Sequence, residues 1–194
     1  GILAFFLSDQ FTLLCAVQHM LPFVGEQQFR VLGTLTIGII QCIFDALAPS
    51  GVSNFDFGSP ESLRVAIPAA NGLFTARSLA KLYALLANGG ALGGVRLISQ
   101  KTLEQATTVQ EPTGKHSVIP FDMRWRLGYH GIATTRGFPR AAFGHFGFGG
   151  SGAWGDPERE LSVALIVNSG LGTPFGDLRT ARIGGAALGC ANAR

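Results

Sequence analysis

The clearest pattern of apolar and polar positions in the chain is helical and lies between residues 75 and 88. Apolar residues recur there at the three- and four-residue spacing of a helix with one buried face, at Leu79, Leu82, Tyr83 and Leu86. Thr75 stands where a helix N-cap is expected, and Asn88-Gly89-Gly90 is typical of a helix end. The pattern therefore predicts a helix over 75–88.

A shorter helix and a small hairpin are predicted directly after it. Gly93-Gly94 lies within 92–97 and indicates a small hairpin or loop. Ser99 is an N-cap candidate for a helix over 100–109, whose apolar face is weaker.

The second clear pattern has the two-residue period of a strand. Leu161, Val163, Leu165 and Val167 alternate with the residues between them. The preceding Asp156-Pro157-Glu158-Arg159 has proline at the second position of a turn. The pattern predicts an antiparallel hairpin in which 150–155 pairs with 160–168.

The remaining segments complete the predicted fold. A short strand is expected at 125–129, a loop with Arg136 and Arg140 at 131–144, and a terminal helix from about 174 to 188. Helices followed by antiparallel strands and another helix predict an α+β fold, an antiparallel sheet flanked by helices. We expect the first and last of these helices to pack on the same sheet.

Residues 1–50 differ from the rest of the chain. They carry one arginine against three acids, whereas residues 51–194 carry 14 basic and 9 acidic residues. The boundary is rich in proline, glycine and serine, which predicts a linker between an unassigned hydrophobic segment, 1–50, and a domain over 51–194. Residues 31–48 approach the length of a membrane span, but Gln41 and Asp45 interrupt them and favour a buried segment. The first residue is glycine, which suggests a fragment or a processed product.

Composition narrows the class of protein. Hydrophobic residues make up 47% of the 194 residues and charged residues 14%, which excludes a disordered chain. The net charge of +3 is spread thinly, so we expect no nucleic-acid partner. The three cysteines, expected to be buried, form no C-x-x-C pair, and no metal or other cofactor is predicted. His19, His116 and His130 lack metal-ligand spacing and are expected at the surface or in loops.

Two stretches resemble the serine β-lactamase-related family, which includes class C β-lactamases, penicillin-binding-protein-like peptidases and family VIII carboxylesterases. They are AIPAANGLFTARSLAKLYALLANGGALGGVRLISQKTLEQA and GHFGFGGSGAWGDPERELSVALIVNSG. The resemblance covers roughly residues 52–194 and concerns the C-terminal portion of the family domain. Residues 1–50 show no such resemblance. The resemblance of 52–194 implies the family's helix-flanked antiparallel sheet and acyl transfer to a serine.

The resemblance also implies site residues. His145-Phe146-Gly147 is similar to the family's His-x-Gly motif, in which the imidazole donates a hydrogen bond or partial positive charge and Gly147 lets substrate approach the strand. The backbone N–H of Phe148 would then be an oxyanion donor. Arg179 and Arg182, on the terminal helix, are weaker candidates for binding a substrate carboxylate.

No credible nucleophile accompanies these residues. Ser78-Leu79-Ala80-Lys81 is the only Ser-x-x-Lys, but its segment resembles a later family helix, and the family's Tyr-x-Asn is missing. Ser151 does not stand in a G-x-S-x-G elbow because Ala153 holds the last position.

We therefore expect a β-lactamase-related serine hydrolase that acts on a small-molecule ester or amide and is catalytically incomplete. The alternative is a non-catalytic binding or scaffold fragment, associated with a membrane through residues 1–48. An upstream extension that supplied a second Ser-x-x-Lys and a tyrosine motif would favour the enzyme.

Overall fold

The computed structural model describes residues 38, 55–67, 72–110, 122–147, 150–168 and 177–193. The chain divides into two compact units, one of Gly1–Asn71 with Gly114–Pro120 and one of Gly72–Thr113 with Phe121–Arg194. The predicted boundary at residue 50 and the apolar run at 31–48 lie outside the described residues, apart from Gly38. No helix in the described ranges is long and apolar enough to cross a membrane.

In the first unit, the described part contains a five-residue helix, α1 (Pro60–Arg64). Ser59 caps its N-terminus and accepts a hydrogen bond from the backbone N–H of Ser62. The hydroxyl of Ser62 is buried and donates to the carbonyl of Asp56 at 2.6 Å, so local hydrogen bonds fix this turn of chain.

The second unit begins with the helices and hairpin that local sequence signals predicted. Helix α2 (Ala76–Ala87) is capped by Thr75 and ends at Asn88, followed by Gly89 at φ 69° and Gly90 at φ 84°. Strands β1 (Ala91–Leu92) and β2 (Val95–Arg96) form the small hairpin. Helix α3 (Gln100–Thr107) is capped by Ser99, as predicted, and ends two residues earlier than predicted.

A four-stranded antiparallel sheet in the order β3-β4-β5-β6 is the centre of this unit. Its strands are β3 (His130–Gly131), β4 (Phe143–Phe146), β5 (Gly152–Asp156) and β6 (Leu161–Leu165). The β5–β6 register joins Gly152 to Leu165 and Asp156 to Leu161, which confirms the predicted hairpin. Asp156 is fully buried in its turn, where it accepts from the backbone of Glu158 and pairs with Arg159 at 2.8 Å.

The two faces of the sheet bury two separate apolar clusters. One cluster contains Tyr83, Leu86, Leu103, Phe143 and Ala153, and the other contains Ile132, Ala142, Phe146 and Trp154. Gly155, which follows Trp154 in β5, lies against α2, where a Cβ at Gly155 would come within 3.2 Å of Ala87.

The last helix, α4 (Leu178–Asn192), covers the other face, since a Cβ at its Gly184 would lie 3.6 Å from the Trp154 ring. The prediction that helices α2 and α4 pack on the same sheet is confirmed. The structure adds that they lie on opposite faces of it.

Several predictions about this unit are wrong. The predicted loop at 131–144 is shorter, since Gly131 belongs to β3 and Phe143 and Gly144 belong to β4. Residues 125–129 form a turn, not a strand, since the N–H of Arg126 donates to the carbonyl of Tyr129 and Gly128 has φ 81°. The predicted terminal helix is confirmed, but it ends at Asn192, about four residues later than predicted. Cys190 is exposed on that helix instead of buried, while Cys15 and Cys42 lie outside the described residues.

The turn at 125–129 forms because Arg126 is buried. Its guanidinium donates to four backbone carbonyls, those of Thr107, His130, Ala142 and Arg140. A buried guanidinium must satisfy its donors, and satisfying them from several loops folds the segment around the side chain. The strand pairing therefore begins only at His130.

Candidate functional site

The predicted His-x-Gly motif lies at the end of β4, and the two glycines of this segment, Gly144 and Gly147, differ in their packing. Gly144 pairs with Trp154, and a Cβ at Gly144 would approach the carbonyl oxygen of Ala153 to 2.2 Å. No side chain can occupy that space, so glycine at 144 is required by the packing of β4 on β5.

Gly147 differs from Gly144 in this respect. A Cβ there would meet nothing closer than the carbonyl oxygen of Ser151, at 3.8 Å. Packing among the described residues therefore does not demand glycine at 147, and no described side chain covers the space in front of its Cα.

The chain reverses direction directly after the motif. The N–H of Gly147 donates to the carbonyl of Ser151 at 2.9 Å, and the N–H of Gly150 donates to the carbonyl of Gly147 at 3.1 Å. Phe148, the predicted oxyanion donor, follows Gly147 in the sequence and lies outside the described residues. Its role stays a prediction.

His145 extends from β4 opposite Ala153 and is exposed. No hydrogen bond joins its ring to any part of the chain that the structure describes. Desolvation by surrounding atoms nevertheless lowers the pKa of its imidazole below the usual value near 6.5. At neutral pH the ring is therefore uncharged, with one N–H donor and one acceptor nitrogen available to a ligand.

His130 lies directly against His145, with the two ring centroids 5.2 Å apart. The prediction that His130 is a surface or loop residue is wrong, because it lies in β3 and is only 5% exposed. Its Nδ1 is 2.7 Å from the carbonyl oxygen of Gly131, and its Nε2 is 3.2 Å from the backbone nitrogen of Phe146. His19 and His116 lie outside the described residues.

Two tyrosines that sequence reasoning did not assign to the site lie near the motif. The rings of Tyr83 and Tyr129 both pack against the ring of Phe143 in β4. Burial raises the pKa of Tyr83 well above its usual value, and Tyr129 raises it further, so its phenol stays protonated. The only signal for Tyr83 in the sequence was its place on the apolar face of α2, which predicts a core residue.

The only Ser-x-x-Lys in the sequence lies at the exposed start of α2. The Ser78 hydroxyl accepts from the backbone N–H of Thr75 and is 3.0 Å from the Thr75 carbonyl oxygen. The Thr75 side chain in turn accepts from the N–H of Ser78, which completes a capping box. No hydrogen bond joins Lys81 to Ser78 within the described residues.

Ser151 is likewise part of the backbone framework. Its hydroxyl donates to the carbonyl of Val167 at 3.3 Å and accepts from the N–H of the same residue at 3.0 Å. These bonds close the open end of the β5–β6 hairpin.

The two candidate arginines of α4 differ in their surroundings. Arg179 forms an ion pair with Asp177, whose pKa the guanidinium lowers. Asp177 lies beside Gly150 of the turn, where a Cβ would come within 2.8 Å of its carboxylate. Arg182 is exposed and has no hydrogen bond to another described residue. A carboxylate-binding role for either arginine stays a prediction.

Comparison with known proteins gives consistent matches. A family model described as Beta-lactamase matches residues 20–188. The chain is 38% identical over 111 residues to the esterase/beta-lactamase LipL of Mycobacterium tuberculosis, which covers 57% of this chain and 25% of that protein.

Two solved structures match this chain. One is a penicillin-binding protein homolog from Caulobacter crescentus, with a TM-score of 0.57 and 35% identity over 70% of this chain and 38% of that one. The other is a family VIII carboxylesterase, with a TM-score of 0.49 and 36% identity over 58% of this chain and 30% of that one. The chain thus spans well under half the length of these proteins.

The family match begins upstream of residue 52, where the sequence analysis placed the start of the resemblance. The expectation that residues 1–50 lie outside the family pattern is therefore wrong for 20–50. The placement of a linker near residue 50 is a separate prediction and remains one.

Proposed function

Because the chain belongs to the β-lactamase family, with a serine-hydrolase-like fold, we propose that it carries the His-x-Gly side of a site for small-molecule esters or amides. The reaction that such a site serves is acyl transfer to a serine followed by hydrolysis. In this proposal His145 donates a hydrogen bond to the ligand, Gly147 lets the ligand lie along β4, and the Phe148 N–H faces the oxyanion.

One observation carries the proposal: the imidazole of His145 is exposed and unbonded among the described residues, beside a glycine that packing does not require. Elsewhere on the same strand, packing accounts for the residue, as at Gly144 and Phe143. A free donor next to open backbone is what a site for a carbonyl compound needs.

We further propose that this chain does not form an acyl-enzyme by itself. Ser78 and Ser151 use their hydroxyls in backbone hydrogen bonds, and Ser78 has no base within hydrogen-bond reach among the described residues. Without an activated serine, only binding and oxyanion stabilisation remain.

Two measurements test this function. A saturable shift of the His145 ring NMR signals on titration with 4-nitroacetanilide, an amide that resembles an activated ester, supports the ligand site. No shift up to millimolar ligand would overturn it.

The second measurement tests the missing nucleophile. With 4-nitrophenyl acetate and a chromogenic cephalosporin we expect no burst and no saturable turnover, and intact mass should show no fluorophosphonate adduct on Ser78. Saturable turnover that His145→Ala lowers by orders of magnitude, while the control Ser78→Ala leaves it unchanged, would reveal a complete site and contradict the proposal.

The alternative of a non-catalytic scaffold with a membrane contact through residues 1–48 concerns residues outside the described ranges, apart from Gly38. It predicts co-sedimentation of the chain with lipid vesicles and no effect of 4-nitroacetanilide on His145.

A further inference from the structure

His130 is a buried polar side chain whose two ring nitrogens both meet the backbone near the proposed site. Its Nδ1 lies 2.7 Å from the carbonyl oxygen of Gly131, and its Nε2 lies 3.2 Å from the amide nitrogen of Phe146. A carbonyl can only accept and an amide N–H can only donate, so these partners fix one tautomer. The ring is neutral, with its proton on Nδ1 and a lone pair on Nε2.

The bond to Phe146 replaces a missing strand partner. Strand β3 begins at His130, which pairs with Gly144, so Phe146 lies two residues beyond the last ladder pair on that side. On the other side, the N–H of Gly147 is held by the carbonyl of Ser151. The imidazole of His130 and the carbonyl of Ser151 therefore fix two consecutive peptide groups from opposite sides, inside the His-x-Gly motif.

Neighbouring rings hold the imidazole of His130 in this position. The Trp125 ring packs edge-on at 5.9 Å and the His145 ring at 5.2 Å. The carbonyl of His130 also accepts from the buried guanidinium of Arg126, so the residue is fixed at its backbone as well as its side chain.

We propose that neutral His130 is a positioning residue for the proposed site, which holds the peptide groups of Phe146 and Gly147 in the orientation that a ligand at His145 requires. The inference that this hold serves a ligand rests on the proposed function. The hold itself rests on the two ring hydrogen bonds of His130. It is separate from the His-x-Gly motif, since His130 precedes that motif by 15 residues and is buried.

The mechanism predicts a dependence on protonation. An imidazolium donates from both nitrogens and cannot accept the N–H of Phe146, so protonation breaks this bond. Burial lowers the pKa of His130, and the hydrogen bond to the Gly131 carbonyl opposes this shift. Two neighbours act in the same direction as burial, His145 from β4 and Arg126 from the preceding turn. No acid is among the groups that shift it, so the motif keeps its geometry at neutral pH and loses it on acidification.

Amide hydrogen exchange on the full chain tests the proposal, because it requires no catalysis. In His130→Leu the acceptor is lost and the volume roughly kept, and we expect the Phe146 amide to exchange at least tenfold faster than in the parent chain. His130→Gln places an amide oxygen near the position of Nε2, and we expect protection within threefold of the parent. Ile132→Val, a buried change on the same segment, is the control for general loss of stability and should shift all amides of the sheet together.

Acidification separates positioning from simple packing. Protection of Phe146 should fall in the parent chain as the His130 ring becomes protonated, as followed by the imidazole ¹⁵N shifts, and should stay constant in His130→Gln. Equal exchange of Phe146 in the parent and His130→Leu, equal behaviour of the Leu and Gln variants, or a His130 ring protonated on Nε2 would each overturn the proposal. The result of the 4-nitroacetanilide titration at His145 does not depend on these exchange measurements. A failure of the proposed function can therefore be distinguished from a failure of the positioning role.

Discussion

Two short motifs in this chain match serine hydrolase chemistry, and the structure surrounds them differently. At the start of α2, the Ser78 hydroxyl is already used by the Thr75 backbone in a capping box. At the end of β4, no described residue bonds the His145 ring, and Gly147 stands where a Cβ would fit. A motif whose residues are explained by local folding carries little functional weight, whereas one that folding does not require points to a ligand.

The sharpest test of this comparison uses the two glycines of β4. Gly144→Ala should destabilise the fold by about 3 kcal/mol or more, because its Cβ would overlap the Ala153 carbonyl and the Trp154 side chain. Gly147→Ala should change the free energy of unfolding by less than about 1 kcal/mol, since its Cβ has room. Urea denaturation measures both, and equal losses would remove the distinction between a glycine for packing and a glycine for access.

The next largest effect is expected at the cap of α2. Thr75→Ala should cost about 1 kcal/mol of stability because it leaves the Ser78 N–H without its acceptor. Ser78→Ala should cost about 0.5 to 1 kcal/mol through the reciprocal bond to the Thr75 N–H. Thermal unfolding gives these values. If Ser78→Ala left stability unchanged but removed covalent labelling by a fluorophosphonate, the serine would be a nucleophile and the comparison would be reversed.

The smallest effect on stability is expected at His145. Its ring is exposed and bonds no described residue, so His145→Ala should change the free energy of unfolding by less than about 0.5 kcal/mol. The same variant should abolish the response of the protein to 4-nitroacetanilide, read from the amide signals of Gly147 and Ser151. A loss of stability above about 1.5 kcal/mol would mean that His145 has a structural role instead.

The sequence predicted the α+β fold because most of its signals are local. The apolar face of α2, its cap at Thr75 and the turn at Asp156-Pro157 depend on residues within four positions of each other, and all three were confirmed. The candidate site was located through the family resemblance, since His145-Phe146-Gly147 is too short a pattern to identify a site by itself.

Predictions were wrong where distant residues decide the structure. Arg126 has a polar side chain that suits an exposed strand, yet it is buried by carbonyls from α3, β3 and the approach to β4. His130 shows no motif of its own, and its ring accepts from the backbone N–H of Phe146, 16 residues further along the chain.

The sequence by itself thus determined helices α2 and α3, the antiparallel hairpin, the family and the absence of a second Ser-x-x-Lys from these 194 residues. Only the tertiary structure decided which of the matching residues are free to act. Local periodicity and caps arise from hydrogen bonds between near neighbours, which a sequence displays directly. Among the described residues, the unbonded ring of His145, the neutral tautomer of His130 and the space at Gly147 depend on which distant groups lie near each residue. Only the folded chain brings those groups together.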